Sequence, residues 1–320
     1  MKKALAFFQL IRAANLAILT LCISLFYFLI LTPAHQYKLF TTLLPFTTVE
    51  FCLFVLSVLL VAAAGNIIND YFDFELDKEY KPYRPLPQAA FSLDQAFYMH
   101  AVFAFAGIAI GFYLGYQTNN YKTGYFYVIC VLLLYLYSSY LKKIPLVGNV
   151  VVSALTGFVF LLLLMFEKNF LATVQFESSQ YVFGMLLLQV KFYGGFAFIT
   201  NLARELVKDI EDVEGDASYK INTMAVQFGI TITRYVALAV LVALLGGLGF
   251  FMKWLIEAGA LKQVSYLAVA VAVPVVAAIV LLLTPKEQKD YARISVLLKV
   301  IMLLGVLSIA AFYLFTYMAA

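Results

Sequence analysis

The amino-acid sequence predicts an all-α polytopic membrane protein with about nine transmembrane helices. Three observations favour this fold class: an apolar composition, clustered charges and long uncharged runs. Hydrophobic residues make up 64% of the chain and charged residues 12%, whereas a soluble domain carries about 25% charged residues. The charged residues are clustered, as expected in a bilayer, where an ionised group costs several kcal/mol. A soluble helical protein of this length would need far more polar surface.

Nine stretches are long and apolar enough, or nearly so, to span a bilayer, which takes about 20 residues. They cover roughly 11–32, 47–69, 93–117, 121–141, 149–166, 181–203, 232–252, 264–284 and 294–317. No linker or low-complexity segment interrupts them, so we expect a single domain over residues 1–320. The segment before Arg12 lacks a signal-peptide pattern, so the first helix should be retained.

The distribution of lysine and arginine predicts the orientation of the helices. Fifteen of these residues fall on the side of the N-terminus and five on the opposite side. Because cytoplasmic loops carry the excess, we expect a protein of the inner or plasma membrane with a cytoplasmic N-terminus and its C-terminus on the opposite side. The acidic segments 70–92 and 204–231 would then be cytoplasmic. No basic stripe interleaved with exposed aromatic residues occurs, so no nucleic-acid partner is expected.

Oxygen-bearing side chains gather at the ends of two predicted helices. At 3.6 residues per turn, a continuous second helix places five of them within an arc of about 100°: Asn66, Asn69, Asp70, Asp73 and Asp77. If the sixth helix continues to Gly215, an arc of about 60° holds four carboxylates: Glu205, Asp209, Asp212 and Asp216. Both sets contain the pattern DxxDxxxD, which suggests an internal duplication.

The chemistry of these two faces indicates a metal site. Carboxylates four positions apart on a helix repel each other, and bound cations remove that repulsion. Oxygen ligands without His or Cys select Mg²⁺ rather than Zn²⁺, and Mg²⁺ is typically shared with substrate phosphates. We therefore predict a diphosphate-binding active site at the cytoplasmic ends of helices 2 and 6. The alternative, solvated helix ends beside lipid headgroups, does not account for the same spacing occurring twice.

Two longer motifs resemble the signatures of the UbiA superfamily of intramembrane prenyltransferases. They are Asn69-Asp70-x-x-Asp73-x-x-x-Asp77 with Arg84-Pro85-Leu86-Pro87, and Asp209-x-x-Asp212-x-x-x-Asp216 with Thr223-Met224-Ala225-x-x-x-Gly229. The segment 137–143 is similar to the basic loop between the family's fourth and fifth helices. Within the superfamily, the segment 204–216 looks most like the digeranylgeranylglyceryl phosphate synthase branch.

The resemblance implies a Mg²⁺-dependent transfer of a prenyl group, geranylgeranyl in that branch, from a prenyl diphosphate to a membrane-associated acceptor. In that branch the acceptor is a glycerol phosphate ether. The quinone-making branches prenylate 4-hydroxybenzoate or dihydroxynaphthoate, and this alternative stays open. A cation-coupled transporter is a remoter alternative, because transporter acids lie within the bilayer rather than at helix ends. A CDP-alcohol phosphotransferase needs glycine directly after the second aspartate, where this chain has Phe74.

The resemblance also implies roles for individual residues. The Mg²⁺ ligands would be Asn69, Asp70, Asp73, Asp77, Asp209, Asp212 and Asp216, and all of these aspartates except Asp70 would be catalytic. The substrate-binding residues would be Asn66, Arg84, Lys142, Lys143, Glu205, Lys208, Arg12 and Tyr140. Among these, Arg84, Lys142 and Lys143 would neutralise the diphosphate, and Arg12 would hold an anionic acceptor.

Overall fold

A computed structural model of the chain describes residues 2–32, 46–86, 88–166, 177–285 and 287–317. Most of these residues are helical, and there is no strand among them. The α-helices are α1 Lys2–Leu10, α2 Ala13–Phe26, α3 Thr48–Phe72, α4 Phe74–Tyr80, α5 Leu93–Gln117, α6 Lys122–Ser139, α7 Val147–Phe166, α8 Glu177–Glu211, α9 Val213–Ser218, α10 Met224–Phe228, α11 Ile230–Glu257, α12 Leu261–Tyr266, α13 Val273–Leu283 and α14 Gln288–Tyr317. Short π-helical turns follow α2 and α12, and a 3-10 turn covers Leu141–Lys143.

Nine helical segments in the described part of the chain are long and apolar enough to cross a bilayer. They are Ala13–Leu31, Thr48–Phe72, Leu93–Gln117, Lys122–Ser139, Val147–Phe166, Leu186–Glu211, Ile230–Glu257, Leu261–Leu283 and Gln288–Phe315. Large apolar side chains such as Phe105, Phe250 and Val269 are exposed along them, as expected of a surface that faces lipid. The predicted fold class is confirmed, and the chain is an integral membrane protein.

The boundaries of two predicted spans differ from the structure in ways that matter for the acidic motifs. The sixth span was expected to end at residue 203, but α8 continues through the charged segment to Glu211. The first span was expected to begin at residue 11, but Arg12 adopts a left-handed conformation, with φ 55°, that separates α1 from α2. Glu205 and Asp209 of the second motif therefore lie on α8.

The chain divides into two compact units. Unit 1 comprises residues 1–27, 31–141 and 159–186, and unit 2 comprises residues 28–30, 142–158 and 187–320. That residues 1–320 form a single domain stays a prediction.

Unit 1 is built around α3, which packs against α5 and α6. The sequence starts α3 with a capping box, in which Thr47 accepts a hydrogen bond from the backbone of Glu50 and the Glu50 side chain accepts one from the backbone of Thr47. Such caps stabilise a helix by about 1 kcal/mol. Between the helices, Ser57 and Tyr127 form a buried hydrogen bond with 2.8 Å between their oxygens. This packing fixes the position of α3, whose C-terminal end carries the first motif.

Unit 2 has a core of apolar residues from α8, α11, α13 and α14. The rings of Phe192 and Phe251 stack with centroids 3.7 Å apart. At the other end of α8, Leu206, Val207 and Ile210 are fully buried in the same core. The apolar face of α8 is thus packed in this core as far as Ile210, near the C-terminal end of the helix.

Candidate active site

The first acidic cluster consists of Asn69, Asp70, Asp73 and Asp77 in unit 1. The helix breaks at Asp73, which has φ −89° and ψ 3° and separates α3 from α4. The backbone hydrogen bonds continue across the break, from Asp73 N to Asn69 O (3.0 Å) and from Asp77 N to Asp73 O (2.8 Å). This bridge-region conformation is sparsely populated but recurs among active-site residues. The expected arc on one continuous helix therefore holds only as far as Asp73.

Arginine side chains compensate the buried carboxylates of this cluster. Asp70 and Asp77 are only 4% and 2% exposed. One nitrogen of Arg84 lies 2.6 Å from Asp77 Oδ2 and 3.2 Å from Asp70 Oδ1. A second guanidinium, that of Arg12, lies 2.9 Å from the same oxygen of Asp70. Arg84 was predicted to neutralise a diphosphate; in this structure it pairs with two carboxylates, and its role with substrate stays a prediction.

Burial and neighbouring charges both shift the pKa values of the first cluster. Burial raises the pKa of Asp77 to about 6, although the nearby Arg84 opposes the shift. Burial would lower the pKa of Arg84, but the carboxylates of Asp70, Asp77 and Asp73 outweigh it and raise the pKa above its ordinary value. Lys81 also lowers the pKa of Asp77, so three carboxylates lie beside three cationic side chains, Arg12, Arg84 and Lys81.

Two polar contacts hold the break between α1 and α2 against the end of α3. Asn66 donates a hydrogen bond from Nδ2 to the carbonyl oxygen of Ile11, at 3.0 Å. The next residue, Arg12, makes the ion pair with Asp70. A non-glycine residue with positive φ is strained, and these contacts stabilise that conformation. Asn66, predicted to bind substrate, therefore uses its amide nitrogen to hold the backbone beside Arg12. Its predicted role in binding substrate stays untested.

The second acidic cluster, consisting of Glu205, Asp209, Asp212 and Asp216 in unit 2, repeats the backbone break of the first. Here Asp212 has φ −93° and ψ 5° and separates α8 from α9. Hydrogen bonds run from Asp212 N to Lys208 O (2.9 Å) and from Asp216 N to Asp212 O (3.0 Å). In both DxxDxxxD patterns, then, the helix breaks at the second aspartate and the third aspartate is buried. The predicted continuous helix to Gly215 does not occur.

Three residues that sequence reasoning missed contact the second cluster or the end of α8 beside it. Asn149 in α7 donates a hydrogen bond to Asp209 Oδ2, at 2.9 Å. Arg204 lies 2.6 Å from Oε1 of its neighbour Glu205. Gln288, the first residue of α14, donates from Nε2 to the two carbonyl oxygens that end α8, those of Ile210 and Glu211. Arg204 adjoins the motif, but the other two residues lie at least 60 positions away and leave no local signal.

Three predicted substrate-binding residues, Tyr140, Lys142 and Lys143, occupy the turn between α6 and α7. Tyr140 ends α6 and is 62% exposed. Lys142 and Lys143 follow in the 3-10 turn, where Lys143 is the more exposed of the two. Lys208 lies on α8, partly buried, between Glu205 and Asp212 in sequence. Their contacts with substrate stay predictions.

The donor atoms of the two clusters suit Mg²⁺. Within the described ranges, no three His, Cys, Asp or Glu side chains are gathered closely enough to hold a metal ion. The carboxylates of Asp70 and Asp77 face guanidinium groups instead, and that of Asp209 faces an amide. The side chains are nevertheless oxygen donors of the type that Mg²⁺ prefers. The residues present therefore fit the metal that the motifs predict.

Comparison with known proteins identifies the family. The model of the UbiA prenyltransferase family matches residues 38–305. The chain belongs to the UbiA prenyltransferase family. It is a prenyltransferase, and members of this family generally use Mg²⁺. The resemblance inferred from the two acidic motifs is confirmed.

Curated relatives of this UbiA prenyltransferase include two archaeal proteins named digeranylgeranylglyceryl phosphate synthase. The protein of Methanothermobacter thermautotrophicus is 34% identical over 266 residues, covering 82% of this chain and 85% of the relative. That of Methanobrevibacter smithii is 32% identical over 189 residues, which span 59% of this chain and 62% of the relative. A solved structure described as that of a digeranylgeranylglyceryl phosphate synthase has a TM-score of 0.66 and 24% identity, and covers 97% of this chain and 98% of that one. At that identity the structural likeness shows the fold.

Proposed function

We propose that this UbiA prenyltransferase transfers a geranylgeranyl group from geranylgeranyl diphosphate to a glycerol phosphate ether such as geranylgeranylglyceryl phosphate. The observation that carries this proposal is the 34% identity to a digeranylgeranylglyceryl phosphate synthase over 82% of the chain. The segment 204–216 supports it, because Glu205 and Lys208 accompany the acidic motif in the manner of that branch.

In the proposed reaction, the bond between C1 of the prenyl group and the diphosphate oxygen breaks. The acceptor hydroxyl oxygen forms a new bond to that carbon, its proton leaves, and diphosphate is released. Bound Mg²⁺ supplies Lewis-acid withdrawal of charge from the diphosphate. The side chains proposed to hold the ions are Asn69, Asp73 and Asp77 in unit 1, and Asp209 with Asp212 or Asp216 in unit 2.

The arginines of the first cluster have a proposed role with each substrate. Charge-assisted bonds from guanidinium groups to phosphate oxygens are strong and often bidentate. We propose that Arg84 donates to the diphosphate when that substrate is bound, and that Arg12 holds the phosphate of the acceptor. Their present pairing with Asp70 and Asp77 supports this proposal, because it places both guanidinium groups beside the motif. The positive-inside bias further supports a cytoplasmic N-terminus. Both acidic motifs would then face the cytoplasm, from which the water-soluble diphosphate end of the donor would reach them.

The proposed function is tested by identifying the product. Purified protein would be incubated with geranylgeranyl diphosphate and each of three acceptors: geranylgeranylglyceryl phosphate, 4-hydroxybenzoate and dihydroxynaphthoate. We expect one new mass, that of the doubly prenylated glycerol phosphate. A prenylated aromatic acid as the main product would contradict the proposed acceptor and favour the quinone-type alternative.

Turnover should require a divalent cation and prefer Mg²⁺ over Ca²⁺. Mg²⁺ demands compact octahedral oxygen coordination and shares its open positions with phosphates, whereas Ca²⁺ takes more ligands at longer distances. The measurement is product formation in excess chelator, followed by titration with each cation. Full turnover in chelator would rule out the metal role of the two clusters.

Lys142→Ala and Lys143→Ala should each weaken the use of prenyl diphosphate. Loss of one charge-assisted contact costs about 1.5–3 kcal/mol, so KM for the diphosphate should rise about tenfold or more while KM for the acceptor changes little. Lys253→Ala is the matched control, since Lys253 is exposed and lies 3.9 Å from Glu257 on α11. A rise confined to the acceptor KM would show that the basic turn binds the other substrate.

A further inference from the structure

A stripe of three residues on α7 faces a matching stripe on α8 within unit 2. Asn149, Ser153 and Gly157 recur every four residues, so they share one face of α7. Their partners on α8 are Asp209, Asn201 and Gly194, which lie about two helical turns apart from one another. The residue numbers rise along one stripe and fall along the other, so the two helices are antiparallel here.

The close end of this contact is formed by backbone. A Cβ at Gly157 would lie 2.5 Å from the carbonyl oxygen of Gly194, and a Cβ at Gly194 would lie 3.0 Å from that of Gly157. Backbone atoms cannot give way as a flexible side chain can. Small residues at a membrane helix contact let the helices approach closely. The pair therefore fixes both the separation and the register of α7 and α8 at this level.

With the two helices in this register, two polar contacts form between α7 and α8 on the side of the second acidic cluster. Asn201 donates from Nδ2 to Ser153 Oγ at 3.2 Å, and both side chains are buried. Two turns further along α8 lies Asp209, whose Oδ2 accepts a hydrogen bond from Asn149 Nδ2 of α7 at 2.9 Å. The Asn149 side chain is itself buried. A carboxylate offers about four acceptor positions on its two oxygens, so one amide donor fixes its orientation and leaves acceptor positions for a cation.

We propose that Asn149 is a positioning residue for prenyl transfer: by holding Asp209 Oδ2, it presets the carboxylate for the divalent cation. This inference rests on the proposed function only in taking Asp209 as a cation ligand. Partners that orient a ligand in this way typically change metal affinity or activity by about 10- to 100-fold when they are removed. The Gly157–Gly194 contact matters because it holds the backbone of Asn149 within reach.

The test measures cation binding without substrate. Mn²⁺ would be titrated into the purified wild-type protein, Asn149→Leu and Asn149→Ala, and followed by electron paramagnetic resonance, with thermal unfolding recorded for each. We expect both variants to bind the Asp209-dependent Mn²⁺ about 10- to 100-fold more weakly. Asn149→Ala is included because the small alanine side chain avoids any steric misfit that leucine introduces. Thr156→Val is the matched control, since Thr156 lies on α7 and its hydroxyl donates to the carbonyl oxygen of Val152 on the same helix. This variant should bind Mn²⁺ like the wild type.

Two results would overturn the proposal. One is unchanged Mn²⁺ affinity in both Asn149 variants, even with lowered thermal stability, which would make Asn149 a purely structural residue. The other is an Mn²⁺ stoichiometry in Asp209→Ala equal to that of the wild type, which would remove Asp209 as a ligand. Failure of the proposed acceptor appears separately in the product assay and leaves the comparison of Mn²⁺ affinities standing.

Discussion

Asp73→Ala and Asp209→Ala are each expected to lower turnover about a hundred- to a thousandfold while leaving the protein folded and inserted. The departing diphosphate carries several negative charges, and removal of a single preorganised stabilising group at such a position typically costs this factor. Asp73 is the residue at which α3 ends, and Asp209 is the carboxylate held by Asn149. Stability should change little, because each substitution also removes repulsion between neighbouring carboxylates.

The double variant distinguishes one functional unit from two. If both clusters serve one reaction, as the sequence predicts, the double variant should be little worse than either single variant, since residues that act together show strongly non-additive losses. Turnover and thermal unfolding would be measured on all three proteins, with Asp209→Asn as a same-size comparison. Strictly multiplicative losses would argue for independent roles. A large drop in the stability of the single variants would show that the acids are structural.

Arg84→Ala should destabilise the cation-free protein by about 3 kcal/mol, because removal of one partner from a buried ion pair leaves uncompensated charge. Asp70 and Asp77 both lie against this guanidinium and are almost fully buried. Added Mg²⁺ should recover more stability in the variant than in the wild type, since the ion then meets the Asp77 carboxylate without the Arg84 guanidinium beside it. The measurement is thermal unfolding with and without Mg²⁺.

Two further variants test whether the Arg84 effect comes from burial. Arg293→Ala breaks the pair with Asp290, at 2.9 Å, in which the Arg293 side chain is 77% exposed. Exposed pairs contribute about 0–1 kcal/mol, so its stability should stay close to that of the wild type. Neutralising a carboxylate in Arg84→Ala/Asp77→Asn should restore part of the loss. Equal stability of the Arg84 and Arg293 variants would contradict this account of the first cluster.

The spans and the acidic motifs could be predicted from the sequence because both signals are local. A run of about 20 apolar residues suffices to identify a span, and the spacing of carboxylates is visible in the letters. The breaks at Asp73 and Asp212 could not be predicted, since neither motif contains glycine or proline at that point. The positive φ at Arg12 likewise could not be predicted, because the residue is not a glycine.

The partners of the acidic groups could not be predicted because they depend on tertiary packing. Asn149 and Gln288 lie 60 and 78 positions from the groups they bind. Arg84 was placed near the site by its distance from the motif, but its present pairing with Asp70 and Asp77 depends on how the chain turns after α4. Charge type and approximate location follow from sequence, whereas the identity of each contact needs the packed structure.

The hydrogen bonds of Gln288 form late in the synthesis of the chain, because their partners are far apart in sequence. The first cluster has its arginine partners once residue 84 has been synthesised. The carbonyl oxygens that end α8 receive the Gln288 amide from a residue 77 and 78 positions later, at the start of the last span. During synthesis, the first cluster can therefore acquire its arginine partners well before the end of α8 acquires the Gln288 hydrogen bonds. Until Gln288 has been synthesised, the carbonyl oxygens at the end of α8 lack these hydrogen bonds.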